Sequence, residues 1–338
     1  MPAEAQLADY ASLIEEPLRE ALRSDETVRY LVEPMTDYPT RPGKGIRPAL
    51  CLATCEAFGG LPADAIPSAV ALELIHNSFL IHDDIEDRSQ MRRGQPALHR
   101  RFGLPLALNA GDALGLWGLG VLRRNHELLG VRVARRIYAE FDFMARQTTG
   151  GQALDLGWRM DNRLDLGPDD YLDLIMKKTC WYTTVMPLRI GALIGTRGRA
   201  NLDGLVDFGF SLGAAFQIQD DILNLVGDPG QYGKEIGGDI REGKRTLVML
   251  HLLATVDGAD RTRLQDFLDP SAERSPADIA WVLNLMHKQG SIDFAREFAR
   301  GIATSALEAF PEAFAGAVPG RALSFLEGMI DFMVERAS

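Results

Sequence analysis

Wherever a pattern is legible along the chain, apolar residues recur at three- and four-residue intervals, as in LADYASLIEEPLREAL, AIPSAVALELIHNSFLIHDDI and GLVDFGFSLGAAFQIQDDILNLV. That period places an apolar stripe on one side of an α-helix. No run of period-two alternation closed by Asn-Gly or Asp-Gly signals a hairpin. The pattern predicts an all-α chain. Breaks fall at YPTRPGKGIRP, RSQMRRGQ, TRGRANLD, GDPGQYGKEIGGDIREGK and LDPSAERSPAD, each short enough to join neighbouring helices rather than separate domains. With no solenoid period, residues 1–338 read as one helical bundle domain.

The stretch LPLALNAGDALGLWGLGVL, Leu104 to Leu122, is almost long enough to span a bilayer, but Asp112 at its centre would be expensive in lipid. Gly111 and Gly115 form a small-residue step that brings helices together, so a buried helix at a helix or subunit contact is expected instead.

Composition narrows the class. The chain has 338 residues, 46% hydrophobic and 25% charged, with a formal net charge of −11. An acidic balance repels a phosphate backbone, so nucleic acid is not an expected partner and anionic ligands must meet local cations or metal. Cys51, Cys55 and Cys180 show neither disulfide nor zinc spacing and read as packed, reduced thiols. The opening MPAEAQLADYASLIEEP is acidic and lacks an apolar run, which fits a cytoplasmic protein rather than a secreted one.

In IHDDIED, Asp83 and Asp87 are four residues apart, which puts them about 40° apart around a helix and roughly 6 Å along it. Like charges at that spacing destabilise a helix, and Asp84 and Glu86 add to the load, so the cluster calls for a cation. Carboxylates suit Mg²⁺, which takes one or two of them and keeps waters and substrate phosphates in its other positions. Far downstream QIQDDILN repeats the double aspartate, Asp220 and Asp221, with Asn224 as a further oxygen. Two such helices face to face could hold metal between them. The step from Glu73 to His76 resembles half of a di-iron site, but no second E-x-x-H is present, leaving His76 as a cavity or core histidine.

Positive charge gathers nearby. Between Arg88 and Arg101 stand five arginines, Arg92 and Arg93 among them, and no acid. Lys44 and Arg47 sit at a helix entrance before and beside Pro48, Lys178 follows in MKKTC, and Lys234 and Lys244 belong to a loop with six glycines from Gly227 to Gly243. Guanidinium and ammonium groups are phosphate ligands. No G-x-x-x-x-G-K-(S/T) run is present, which excludes a P-loop.

Together, ELIHNSFLIHDDIEDRSQMRRGQPALH, GKGIRP, KKT and FQIQDDILNLVGDPGQYGKEIGGDIREGKRT resemble the trans-isoprenyl diphosphate synthases, or polyprenyl synthetases, over about residues 40–250. The resemblance implies an isoprenoid synthase fold with a deep central cavity, a homodimer, and head-to-tail condensation of an allylic diphosphate with isopentenyl diphosphate. It implies three Mg²⁺ ions held by Asp83, Asp84, Asp87, Asp220, Asp221 and Asn224, the last standing where many members have aspartate. Arg92, Lys178, Lys234 and Lys244 would bind the allylic diphosphate. Lys44, Arg47, His76 and Arg93 would bind isopentenyl diphosphate, and Thr179 and Gln217 would face the developing cation. Ser78 and Phe79, five and four residues before Asp83, would form the floor that limits product length. That pair is most like geranylgeranyl diphosphate synthases, with farnesyl and longer-chain products as alternatives. A terpene cyclase would not need the second aspartate motif, a non-catalytic subunit would have lost motif residues, and a purely structural bundle leaves the clusters without a cause.

Overall fold

The computed structural model describes residues 2–23, 28–227 and 236–335. They are almost wholly helical. In chain order the helices are α1 (Ala3–Ser12), α2 (Glu15–Leu22), α3 (Arg29–Thr40), α4 (Ile46–Ala57), α5 (Pro62–Glu86), α6 (Leu98–Phe102), α7 (Leu104–Val121), α8 (Arg124–Leu129), α9 (Val131–Met160) and α10 (Pro168–Ile175). A π-wound segment, Met176–Val185, leads into α11 (Met186–Gly195) and α12 (Gly204–Val226). After the undescribed residues come α13 (Gly238–Glu242), α14 (Leu247–Thr255), α15 (Gly258–Leu268), α16 (Pro276–Lys288), α17 (Ser291–Ala313) and α18 (Arg321–Glu335).

Punctuation explains the boundaries. Gly45 adopts φ +62° just before α4, a left-handed conformation that glycine takes without strain, and α5 opens with Pro62. Ser275 and Asp278 form a reciprocal capping box at α16. Every residue of α4 except Glu56 is buried, as befits a helix that is apolar all round. One buried cluster runs from Leu7 to Met333, and all three cysteines are free and buried within it.

Two features differ from the sequence reading. A minimal hairpin pairs β1 (Met91–Arg92) antiparallel with β2 (Gln95–Pro96) across Arg93 and Gly94, whose φ values are +52° and +72°. Positive φ at both central positions is what a tight two-residue hairpin turn demands, and here a single glycine suffices. The small-residue step of α7 packs within the chain. A Cβ added at Gly111 would lie 2.6 Å from His82 Nε2 on α5, and one at Gly115 would lie 3.3 Å from Ser78 Oγ. The other face of α7 leaves Leu104, Leu108, Leu116 and Leu119 exposed, so this helix is only half buried. Among the described residues no helix is long and apolar enough to cross a membrane.

Candidate active site

The ends of α5 and α12 that carry the double aspartates converge with α9, α10 and the π segment around a cavity of about 710 Å³. This is the size range of small-molecule sites. The π segment shapes one wall: its widened turn aims Lys178 and Thr179 inward. α9 can pass only because residue 151 is glycine, since a Cβ there would meet the Lys178 backbone nitrogen at 2.3 Å.

Asp83 lines the cavity, with Lys178 Nζ 3.7 Å away and Arg92 Nη2 3.5 Å away. Burial pushes its carboxyl up and Asp87 adds repulsion, yet Lys178, Lys244 and Arg92 outweigh both and leave it below the usual range. Asp87 is set back and buried, accepting from Arg159 Nη2 at 3.0 Å and facing Lys244 Nζ at 2.8 Å. Burial again opposes its charge, and Lys244, Lys178 and Arg159 more than compensate.

Asp84 corrects the sequence reading. It is fully buried and turned from the cavity, its two oxygens taking Arg92 Nε at 3.0 and 2.9 Å and the Tyr38 hydroxyl at 2.6 Å. A carboxylate so engaged holds Arg92 and presents no oxygen to the cavity. One residue along a helix is a rotation of about 100°, which takes Asp84 away from the face shared by Asp83 and Asp87. The support continues outward, because Arg41, which follows α3, donates to the Arg92 and Pro96 carbonyls at 2.7 and 2.8 Å and so pins the hairpin.

On α12, Asp220 and Asp221 both line the cavity. Asp221 accepts from the Tyr171 hydroxyl at 2.7 Å and from Gln217 Nε2 at 2.8 Å. Burial, helped by Asp239 and Asp220, pushes its carboxyl up to about 8 despite those two hydrogen bonds. Gln217 Oε1 in turn accepts from the Thr179 hydroxyl at 2.9 Å, joining two residues expected to face the same reacting centre.

Asn224 also departs from its expected place. It is buried, and its side-chain oxygen accepts from the Asp239 N–H at 3.0 Å while its carbonyl accepts from Gly237 at 2.7 Å. It therefore fixes the start of α13 and leaves the inward-facing oxygens to Asp239, which lines the cavity. Lys234 lies outside the described residues. Lys244 lines the cavity and pairs with Asp239 at 3.3 Å and Glu242 at 2.8 Å besides Asp87.

A second group of cations occupies another part of the same wall. Lys44, Arg47, His76 and Arg93 all line it. Arg47 Nη1 approaches His76 Nε2 at 3.2 Å, Nη2 donates to Thr183 at 2.9 Å, and the guanidinium lies over the Tyr182 ring at 4.4 Å. Burial pushes the His76 pKa well down, and Arg47, Arg93 and Arg92 push the same way, so its ring is neutral and accepts from Arg47. With its Nε2 taken by Arg47, His76 belongs to the cationic part of the cavity wall. Ser78 donates to the Gly111 carbonyl at 2.7 Å, and Phe79 meets Tyr182 edge-on at 5.6 Å; both line the cavity.

Sequence reasoning missed Asp155, Arg159, Gln152 and Asp239. Asp155 is buried in α9, pairing with Lys178 and standing 3.7 Å from Arg159, which links it to Asp87. The run GQALDL held the available signal, a polar pair three residues apart with apolar residues between and after them.

A family model described as polyprenyl synthetase matches residues 28–286. The chain belongs to that family. The synthase is 34% identical over 330 residues to a short chain isoprenyl diphosphate synthase of Methanothermobacter thermautotrophicus, covering 98% of this chain and 97% of the relative. Its fold superposes with a TM-score of 0.85 on a geranylgeranyl pyrophosphate synthetase from Pyrococcus horikoshii, at 34% identity and 99% and 98% coverage. A geranylgeranyl pyrophosphate synthase from Corynebacterium glutamicum, solved with isoprenyl diphosphate and magnesium, gives 0.82 at 26% identity, with 99% and 97% covered. Other relatives bear the names geranylfarnesyl and farnesyl diphosphate synthase. The synthase thus has the all-α isoprenoid synthase fold and is a prenyltransferase of the short-chain isoprenyl diphosphate synthase type.

Proposed function

We propose that this chain, acting as one domain, condenses isopentenyl diphosphate head-to-tail with an allylic diphosphate to give geranylgeranyl diphosphate. The observation that carries the reading is that one cavity holds two separate cationic groups. Lys178 and Arg92 stand within 3.7 Å of Asp83 and Lys244 pairs with Asp87 and Asp239, whereas Arg47 stands against His76 with Lys44 and Arg93 in the same lining. Two diphosphates need two such subsites.

Among the described residues no three Asp, Glu, His or Cys side chains make a ready-formed metal cage. That fits Mg²⁺, which is held by single carboxylates together with substrate phosphates. Asp83, Asp220, Asp221 and Asp239, with Asp87 once Lys244 turns to the substrate, are the oxygens we assign to three ions. Bound magnesium would neutralise charge growing on the leaving diphosphate.

The protein's own groups do the rest. Lys178, Arg92 and Lys244 hold the allylic diphosphate while its carbon–oxygen bond breaks. The Thr179–Gln217 pair turns oxygen dipoles toward the resulting cation. Arg47, Arg93 and Lys44 hold isopentenyl diphosphate so that its double bond attacks that cation, and the released diphosphate takes the proton lost from the new chain. Phe79 and Tyr182 give the tail apolar walls that exclude water.

We further assign a homodimer, supported by the exposed leucines of α7, and a cytoplasmic setting, supported by three unpaired buried cysteines. Incubation with Mg²⁺, isopentenyl diphosphate and each allylic diphosphate in turn tests the reaction. Condensation is expected to stop with EDTA and return with added Mg²⁺; no product with any primer eliminates the enzyme reading and favours a non-catalytic subunit.

Product length follows from Phe79. Replacing it with alanine opens the wall beside Tyr182, and chromatography is expected to show products at least one isoprene unit longer. An unchanged product would remove Phe79 as the floor, and a farnesyl product from the parent chain would replace geranylgeranyl in the reading.

A further inference from the structure

The far end of the bundle carries a charge opposite to the rest of the molecule. Residues 121–139 contain five arginines, Arg123, Arg124, Arg132, Arg135 and Arg136, and one acid, Glu127, in a chain whose net charge is −11. Folding adds Arg197 and Arg199 from the turn after α11. Arg132 donates to the Arg197 carbonyl at 3.4 Å, Arg136 to the Gly198 carbonyl, and Arg197 to the Leu128 carbonyl at 3.4 Å. Arg197 pairs with Asp64 at 2.8 Å, but among the described residues the other six arginines form no ion pair. Asp64 opens α5, so the patch lies roughly 30 Å along that helix from Asp83.

Apolar side chains stand among these charges. Around the Gly130 turn Leu128 is 49% and Val131 62% exposed. Arginine pairs bidentately with phosphate, and exposed leucine and valine gain by entering the acyl boundary of a bilayer. A second copy of the chain would present the same positive charge and be repelled. A nucleic acid would satisfy the arginines but leave the apolar tip in water.

We propose that the α8–α9 tip docks the synthase on an anionic lipid surface, through phosphate headgroups bound by the arginines and shallow insertion of Leu128 and Val131. The contact is peripheral, and it leaves the mouth of the active-site cavity at the opposite end of α5.

Sedimentation of the full chain with phosphatidylcholine vesicles, with and without phosphatidylglycerol, tests this. Binding to the anionic vesicles is expected to be at least about tenfold tighter and to weaken as salt rises. Arg123→Gln/Arg124→Gln/Arg135→Gln/Arg199→Gln, four side chains that hold nothing in the fold, is expected to lose that advantage with condensation activity unchanged. Leu128→Ser/Val131→Ser is expected to weaken binding at low salt too, which separates insertion from charge attraction alone. Equal binding to neutral vesicles, undiminished binding by the arginine variant, or tighter binding to single-stranded RNA would overturn the proposal. Dissociation of the arginine variant into smaller species on size exclusion would also overturn it, assigning the patch to a subunit contact.

Discussion

Asp83→Asn is expected to lower kcat by about 10²–10³ while moving Tm by no more than a few degrees. Asparagine keeps the shape of the side chain and one oxygen, and removes the charge. In the free protein that charge has only loose partners, because Asp83 stands 24% exposed at its side chain, meets Lys178 at 3.7 Å and Arg92 at 3.5 Å, and is repelled by Asp87. Exposed or loosely spaced ion pairs contribute little to stability. In the proposed reaction the same charge holds metal against a diphosphate whose charge grows as its bond breaks. Loss of one such interaction removes about 3–4 kcal/mol from the transition state. The measurement is steady-state kinetics at saturating Mg²⁺ with thermal melts of both proteins. A fall of less than fivefold in kcat would remove Asp83 from the metal site.

Asp87→Asn should be less clean. Its partners Arg159 and Lys244 are largely buried, so removing its charge leaves two cations short of an acceptor. The two ends of a motif that looks symmetrical in sequence are thus set in unlike surroundings.

That asymmetry marks where the sequence stopped being informative. The all-α fold and the two aspartate helices were legible because apolar periodicity and local carboxylate spacing are properties of short segments. The arginine pair was legible too, as a local reversal of charge. The partners of these residues were not. Tyr38 reaches Asp84 from 46 positions away, Arg159 reaches Asp87 from 72, and Asp155 meets Lys178 only because Gly151 lets α9 approach the π segment. The hairpin escaped because its strands are two residues each, too short for any period. Asn224 was expected among the ligands because an oxygen at the fourth step of a D-D motif matches one by spacing, whereas in the structure that oxygen holds the Asp239 N–H. Asp84 could have been separated by helical geometry alone, since its position lies about 100° around the axis from Asp83.

Asp84→Ala, one residue from Asp83, is accordingly expected to act on both folding and catalysis. Asp84 is fully buried between Arg92, itself only 8% exposed at its side chain, and the Tyr38 hydroxyl. Burial works against the Arg92 charge, and Asp84 is the carboxylate that compensates it there. Removing one partner of a buried pair leaves the other charge uncompensated, an effect of about 3–5 kcal/mol. A chain of 338 residues has an unfolding entropy of about 0.7 kcal/mol/K, so each kcal/mol corresponds to about 1.4 °C and a fall in Tm of roughly 4–7 °C is expected. Arg92 would then be free to leave the position from which it faces the allylic diphosphate, and kcat/KM should fall even at temperatures where the variant is fully folded. Two further variants separate the causes. Tyr38→Phe removes the hydroxyl that donates to Asp84, worth about 1.5–3 kcal/mol, and accepts from the Leu98 N–H, worth about 1 kcal/mol, but leaves the Asp84–Arg92 pair, so it should lower Tm while keeping most of kcat/KM. Asp84→Ala/Arg92→Ala removes the stranded charge and should recover part of the stability but none of the activity. If Asp84→Ala melts with Asp83→Asn and differs from it only in metal dependence, the carboxylate turns toward the cavity when substrate binds, and its role as the anchor of Arg92 is wrong.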